Sequence, residues 1–187
     1  QCDWSSDVCS SDLCRTIATF GAAGSNHALA TALYAKKAGY ECVCFLSHQA
    51  KSPGVAATLN RHIENGTTLV RYGGTYQKRI ATLRERLWGT QSWVVPMGGS
   101  SWLGTIGFVA AFELAEQLRS HKLPAPGRVY VGAGTMGTAA GLALGFALAG
   151  LDCEVHAVRV SDTWLTNETA LGRLLRKTAT MMRCHDP

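Results

Sequence analysis

RVYVGAGTMGTAAGL, residues 128–142, is the stretch on which the fold class turns. Arg128–Val131 is a short run of β-type residues. Gly132, Gly134 and Gly137 crowd the turn behind it, and Thr138–Ala149 reads as an apolar helix that Gly150 ends. A strand that passes through a Gly-rich turn into a helix is half of a βαβ unit, and Cys153–Val160 supplies the second strand. Glycine lets such a turn reach positive φ and lets backbone N–H groups approach a ligand with no Cβ in the way. The free amides and positive dipole end of the next helix then make an anion site. Thr135 and Thr138 add hydroxyl donors. The guest predicted for this loop is a phosphate monoester or a diphosphate.

The same alternation extends upstream. Thr16–Phe20, Glu41–Leu46, Thr67–Tyr72 and Gln91–Pro96 read as strands. His27–Ala38, a segment from Ser52-Pro53 to about Asn65, and Thr75–Trp88 read as helices. Ser25-Asn26 offers N-cap chemistry, Pro53 suits a first helical turn, and Gly39 and Gly66 end their helices. Residues 98–107, GGSSWLGTIG, form a long Gly/Ser segment that leads into a helix Phe108–Ser120. Strands separated by helices of about 10–15 residues imply parallel sheets covered on both faces. The fold class is α/β, three-layered.

Residues 129–151 carry no charge, and Gly137, Gly141 and Gly145 repeat the small-residue spacing of membrane helix dimers. Each glycine in a helix costs about 1 kcal/mol relative to alanine, however, and Val129–Val131 is β-type. No membrane span is expected. The small residues instead allow close approach of this helix to a sheet.

Composition narrows the class further. The chain has 187 residues, 47% hydrophobic and 17% charged, which excludes disordered, collagenous and coiled-coil proteins. Residues 5–14 write Ser-Ser-Asp-apolar-Cys twice, a period of five that builds neither a helix face nor a strand face. Residues 1–14 read as a non-native, adapter-like tail. Without it, 18 basic side chains face ten acidic ones, a net charge of +8. Four Cys remain, with Cys42 and Cys44 on one face of a strand as reduced core thiols. No Cys/His spacing suits zinc, so no metal site is expected, and the location expected is cytoplasmic. Arg71, Lys78, Arg79, Arg84 and Arg86 make a solvated basic face without a nucleic-acid module, so no nucleic-acid partner is expected.

Two more turns carry polar groups behind a strand: residues 21–28, GAAGSNHA, and residues 96–109, PMGGSSWLGTIGFV. Ligands of open parallel sheets bind beyond the carboxyl ends of strands, so the three turns are expected to converge on one crevice. Gly132-x-Gly134-x-x-Gly137 also matches a dinucleotide fingerprint, with Asp162 as its acidic partner, which keeps an NAD-type nucleotide-binding module as the alternative.

TFGAAGSNHALATALYAKKAG, VPMGGSSWLGTIGFVAAFEL and VYVGAGTMGTAAGL, in this order, resemble the pyridoxal-phosphate enzymes of the tryptophan-synthase β type. The resemblance is to the branch of D-cysteine desulfhydrase and 1-aminocyclopropane-1-carboxylate deaminase. It implies a two-lobed fold, with residues 15–39 and 97–187 in a partial large lobe and 40–96 in a small lobe. It implies pyridoxal 5′-phosphate as cofactor, a small amino acid as substrate, deamination or β-elimination as reaction, and a homodimer. By that resemblance Asn26 meets the cofactor's ring hydroxyl, and Ser25 meets the substrate carboxylate or assists proton transfer. Gly134, Thr135, Met136, Gly137 and Thr138 cradle the phosphate.

Two departures bear on activity. The family holds its cofactor on a Lys one strand–helix unit upstream of the Ser-Asn turn, and no Lys precedes Ser25. The family's later segments would fall beyond Pro187. The sequence therefore reads as a fragment truncated at both ends and inactive as it stands. Gly24 stands where the branch often has Gln before Ser-Asn.

Overall fold

The computed structural model describes residues 15–184, so the repeat at residues 5–14 lies outside the described residues. The chain divides into two compact units at Met97/Gly98.

In the first unit, β1 (Thr16–Ala22) is an inner strand. It pairs in parallel with β2 (Glu41–Ser47) along its whole length, and on its other side with β4 (Ser92–Val95). The order is β3-β2-β1-β4, with β3 (Thr68–Arg71) at one edge. Strand alternation decides what each face buries. Cys42, Cys44 and Leu46 point toward Ala28, Ala32 and Ala35 of α1 (Asn26–Lys37), joined by Leu59 of α2 (Pro53–Glu64). Phe45 points the other way and packs with Ala18 and Val70, against which Phe20, Tyr72, Leu83 and Leu87 close. The last two belong to α3 (Tyr76–Leu87), so helices cover both faces. Alanine on α1 is what lets the helix lie close to a strand bearing sulfur.

Caps set the helix starts. Ser25 Oγ accepts from Ala28 N at 3.2 Å, Ser52 Oγ from Val55 N at 3.2 Å, and Thr75 Oγ1 from Lys78 N at 3.4 Å. Pro53 occupies the first turn of α2, where its missing N–H costs nothing.

The second unit holds two parallel strands, β5 (Arg128–Ala133) and β6 (Glu154–Arg159), in register from Arg128↔Glu154 to Ala133↔Arg159. Between them runs α6 (Gly137–Leu148). Helix structure begins earlier than the sequence predicts. Trp102–Val109 is a helix, α4, capped by Ser101 Oγ on Gly104 N at 3.2 Å, and α5 (Ala111–Ser120) follows after a break at Ala110. Glycine content argued for a loop over residues 98–107, but tertiary packing outweighs about 1 kcal/mol of propensity. A Cβ on Gly104 would stand 2.0 Å from the Gly99 carbonyl oxygen.

The stripe of small residues on α6 also has a different neighbour from the sheet expected. A Cβ on Gly141 would lie 2.3 Å from Phe108 Cβ and 2.7 Å from the Thr105 carbonyl, and one on Gly145 would lie 2.5 Å from the Val109 carbonyl. The glycines admit α4, not a sheet. No helix among the described residues is long and apolar enough to cross a membrane. The helix α7 (Glu168–Cys184) has no counterpart in the sequence reading; Asn167 Oδ1 starts it by accepting from Ala170 N at 2.9 Å.

The division at Met97 also differs from the expected grouping of residues 15–39 with 97–187. Seven consecutive pairs join β1 to β2, so that segment lies in the sheet of the first unit.

Candidate active site

The turn between β5 and α6 is built to leave amides unspent. Met136 is the N-cap residue of α6, in the left-handed region at φ 66°, ψ 4°, and its side chain makes no capping bond. A buried, unbranched residue held at positive φ stores strain, which the surroundings must impose. The first N–H groups of α6 lack intrahelical acceptors by helix geometry, and among the described residues no side chain caps them. A Cβ at Gly134 would meet nothing within 4 Å, so space is open at that residue of the turn.

The 3₁₀ turn at Met97–Gly99 and the residues after it reach the same loop. Ser100 Oγ donates to Thr135 Oγ1 at 2.6 Å, which leaves Thr135 its own proton to give. A Cβ on Gly98, at φ 68°, would stand 2.0 Å from Thr135 Oγ1, and one on Gly137 would stand 2.9 Å from Ser100 Oγ. Gly134, Thr135, Met136, Gly137 and Thr138 thus form one turn, and residues 98–100 back it.

Two side chains that the sequence reading passed over hold the other side of the loop. Thr166 Oγ1 donates to the Gly134 carbonyl and lies 3.4 Å from the Ala133 carbonyl. Ser161 Oγ donates to the Gly134 carbonyl at 3.3 Å and touches Thr166 Oγ1. Lone hydroxyls after a last strand carry no spacing signal. Asp162, the acid of the dinucleotide fingerprint, accepts from Trp164 Nε1 at 3.1 Å, and its carbonyl accepts from Leu165 N and Thr166 N. It is a turn former here.

In the first unit, Ser25 is the N-cap of α1 and Asn26 its first residue, exposed and with no side-chain hydrogen bond to another described residue. Gly21 makes room for Ser25: a Cβ there would stand 2.5 Å from Ser25 Cβ. Gly24 N donates to Gln49 Oε1 at 2.8 Å. Behind the turn, His27 Nε2 lies 3.0 Å from Thr19 Oγ1, which donates to the Val95 carbonyl at 3.0 Å. With Thr19's proton spent, its oxygen accepts from Nε2–H, a tautomer assigned from the network. Burial holds the His27 pKa below its ordinary value, against a smaller opposing pull from the Pro96 carbonyl.

All six Lys side chains are exposed. Lys36 Nζ donates to the Asn65 carbonyl at the end of α2. Cys42 and Cys44 are free, buried and 3.8 Å apart between sulfurs. The bond to Cys42 and burial together push the Cys44 thiol far up, so it stays protonated and unreactive. On α3, Arg79 lies over the Tyr72 ring and Arg84 over the Trp88 ring.

A parallel α/β chain with an uncapped, glycine-opened helix N-terminus falls in the class of α/β proteins whose geometry suits an anionic ligand. Within that class, the chain belongs to the pyridoxal-phosphate dependent enzyme family, matched over residues 10–185. It is 34% identical over 176 residues to nocardicin C-9′ epimerase of Nocardia uniformis subsp. tsuyamanensis, covering 89% of this chain and 53% of that protein. To D-cysteine desulfhydrase of Salmonella paratyphi B it is 33% identical over 160 residues, covering 78% of this chain and 47% of that one. The crystal structure of an ACC deaminase homologue matches with a TM-score of 0.73 and 26% identity, over 92% of this chain and 53% of that one. The chain spans about half the length of the curated relatives it matches.

The residues present fit the family's cofactor. Its phosphate needs several donors and a wall without Cβ atoms, and the turn has uncapped amides, an open Gly134 and a Thr135 proton still to give.

Proposed function

We propose that this chain is part of a cytoplasmic pyridoxal-phosphate-dependent lyase or deaminase that acts on a small amino acid, homodimeric when complete. The observation that carries this reading is the Gly134–Thr138 turn, where a strained Met136 leaves the amides of α6 without a side-chain cap and the Gly134 position opens onto free space. Gly134, Thr135, Met136, Gly137 and Thr138 bind the phosphate through backbone N–H groups, with the Thr135 hydroxyl as a further donor. Bound there, the cofactor supplies an electron sink for charge developing at the substrate α-carbon.

The remaining roles belong to the first unit's turn. Asn26, exposed at the start of α1, directs its amide to the cofactor ring hydroxyl. Ser25 directs its hydroxyl proton to the substrate carboxylate, or moves a proton, while its oxygen keeps accepting from Ala28 N. The names of the relatives support the substrate class: D-cysteine desulfhydrase and an ACC deaminase homologue are both similar over most of this chain. No Lys precedes Ser25, and the exposed Lys residues have no feature of a cofactor-attaching group. The chain as given is therefore proposed to bind without turning over substrate.

Titration with pyridoxine 5′-phosphate, which lacks the aldehyde and cannot attach to Lys, tests the reading by calorimetry. Saturable binding, tighter than that of pyridoxine, is expected. Saturable binding of NADH that Asp162→Asn abolishes, with no binding of pyridoxine 5′-phosphate, would overturn it in favour of the nucleotide module. Turnover of D-cysteine by the chain alone would overturn the inactivity.

A further inference from the structure

We infer that Thr166, assisted by Ser161, is a positioning residue for the phosphate cradle, acting from the turn between β6 and α7. The inference rests on the phosphate-cofactor reading above and adds to it residues that touch no part of the cofactor.

The argument is one of peptide geometry. A trans peptide unit directs its C=O and its N–H to opposite sides, and no cis bond occurs among the described residues. The Ala133 carbonyl accepts from Val160 N at 3.1 Å and lies 3.4 Å from Thr166 Oγ1. The Gly134 carbonyl accepts from Thr166 Oγ1 and, at 3.3 Å, from Ser161 Oγ. Both carbonyls are thus tied toward the β6–α7 turn. The N–H groups of Gly134 and Thr135, at the other ends of those two peptide planes, are turned away from it. Gly134 lacks any side chain to bias its own φ and ψ, so external ties have to choose its orientation. They also help hold Met136, the next residue but one, at positive φ.

Thr166 is itself fixed. It is buried, its N–H donates to the Asp162 carbonyl at 2.9 Å, and Asn167 beside it caps α7. Its single proton lies between the two carbonyls, and its oxygen meets Ser161 Oγ. A buried hydroxyl that spends its proton on the backbone of a ligand loop orders that loop before the ligand arrives, which lowers the entropy lost on binding. Ser100 Oγ fixes the Thr135 hydroxyl in turn by donating to it.

The experiment compares Kd for pyridoxine 5′-phosphate and for pyridoxine in the whole chain and in Thr166→Val, Thr166→Ser and Ser161→Ala. The ratio of the two constants reports the phosphate cradle alone, which a loss of global stability would not change in folded protein. Thr166→Val, which keeps the shape and removes the hydroxyl, is expected to weaken pyridoxine 5′-phosphate about tenfold and leave pyridoxine unchanged, in line with the loss of one hydrogen bond to a charged group. Thr166→Ser is expected to restore the parent ratio, and Ser161→Ala to lower it by a smaller factor. A folded Thr166→Val with the parent ratio overturns the inference and leaves the cofactor reading intact. If Thr166→Val does not fold, an unchanged ratio in Ser161→Ala overturns it instead. A parent chain that does not prefer the phosphorylated ligand overturns the cofactor reading, and this one with it.

Discussion

Alanine at position 141 is the sharpest available test of the packing that supports the cradle. Gly141 lies inside α6, where replacing glycine with alanine gains about 1 kcal/mol of helix propensity. Against that, the added Cβ would stand 2.3 Å from Phe108 Cβ, 2.7 Å from the Thr105 carbonyl and 3.0 Å from the Phe108 carbonyl carbon. An ordinary carbon–carbon contact needs about 3.5–4.0 Å, so α4 would have to retreat by more than about 1 Å. Every atom in the way is backbone or Cβ, so no rotamer change relieves the contact. Overpacking of this kind costs about 1–3 kcal/mol, and a rigid obstacle belongs at the upper end. The net expectation for Gly141→Ala is destabilisation by about 2 kcal/mol. Gly107, exposed in α4 with nothing within 4 Å of its Cβ position, is the internal control. Gly107→Ala carries only the propensity term and is expected to stabilise by about 0.5–1 kcal/mol. Urea denaturation followed by circular dichroism measures both. Gly141→Ala at or above the parent stability, or Gly107→Ala below it, would refute the reasoning.

Three further substitutions probe the first unit. His62 is fully buried on α2 with neither ring nitrogen bonded, and burial lowers its pKa from the ordinary 6.5. The unfolded chain therefore takes up its proton at higher pH than the folded one, so stability is complete above about pH 6.5 and falls as pH drops below it. His62→Leu is expected to raise stability by about 1 kcal/mol and flatten that acid limb in pH-dependent melts, since two unsatisfied nitrogens leave the core; part of the slope remains, because His27 is shifted the same way. Ser25→Ala removes the N-cap of α1 and is expected to cost about 1 kcal/mol, read as a melting temperature about 2–4 °C lower; an unchanged value would contradict the capping geometry. Thr19→Val leaves both His27 Nε2 and the Val95 carbonyl without their partner and is expected to cost about 1–3 kcal/mol, with a double-mutant cycle against His27→Ala giving non-additive losses.

What the sequence discloses here follows from which signals are local. The βαβ pattern from Thr16 to Tyr72 and the Gly132–Gly137 turn are written in period, caps and glycines within a few residues of one another, and the structure keeps them with shifts of one or two residues at the ends. The face assignment of Cys42 and Cys44 is local as well, since strand alternation alone fixes it. Helix α4 is not local. Its glycines argue against a helix until α6 is known to lie against it, where Gly141 and Gly145 leave room only for that backbone. Strand pairing is not local either, because which strands flank β1 depends on partners elsewhere in the chain.

Distance in sequence also separates the parts of the candidate site. The proposed cradle at Gly134–Thr138 is legible because a phosphate cradle needs consecutive amides, and consecutive amides need glycine close by. The residues that aim those amides need only a hydroxyl at the right place, so Ser100 acts from 35 positions upstream and Thr166 from 32 downstream with no pattern to mark them. Such orienting side chains set whether a glycine-rich turn is a binding site or merely a turn: two peptide planes without ties would sample many orientations, and the strain at Met136 would relax. The geometry that suits this loop to the proposed phosphate is therefore supplied by Ser100, Ser161 and Thr166, and the glycines alone only permit it.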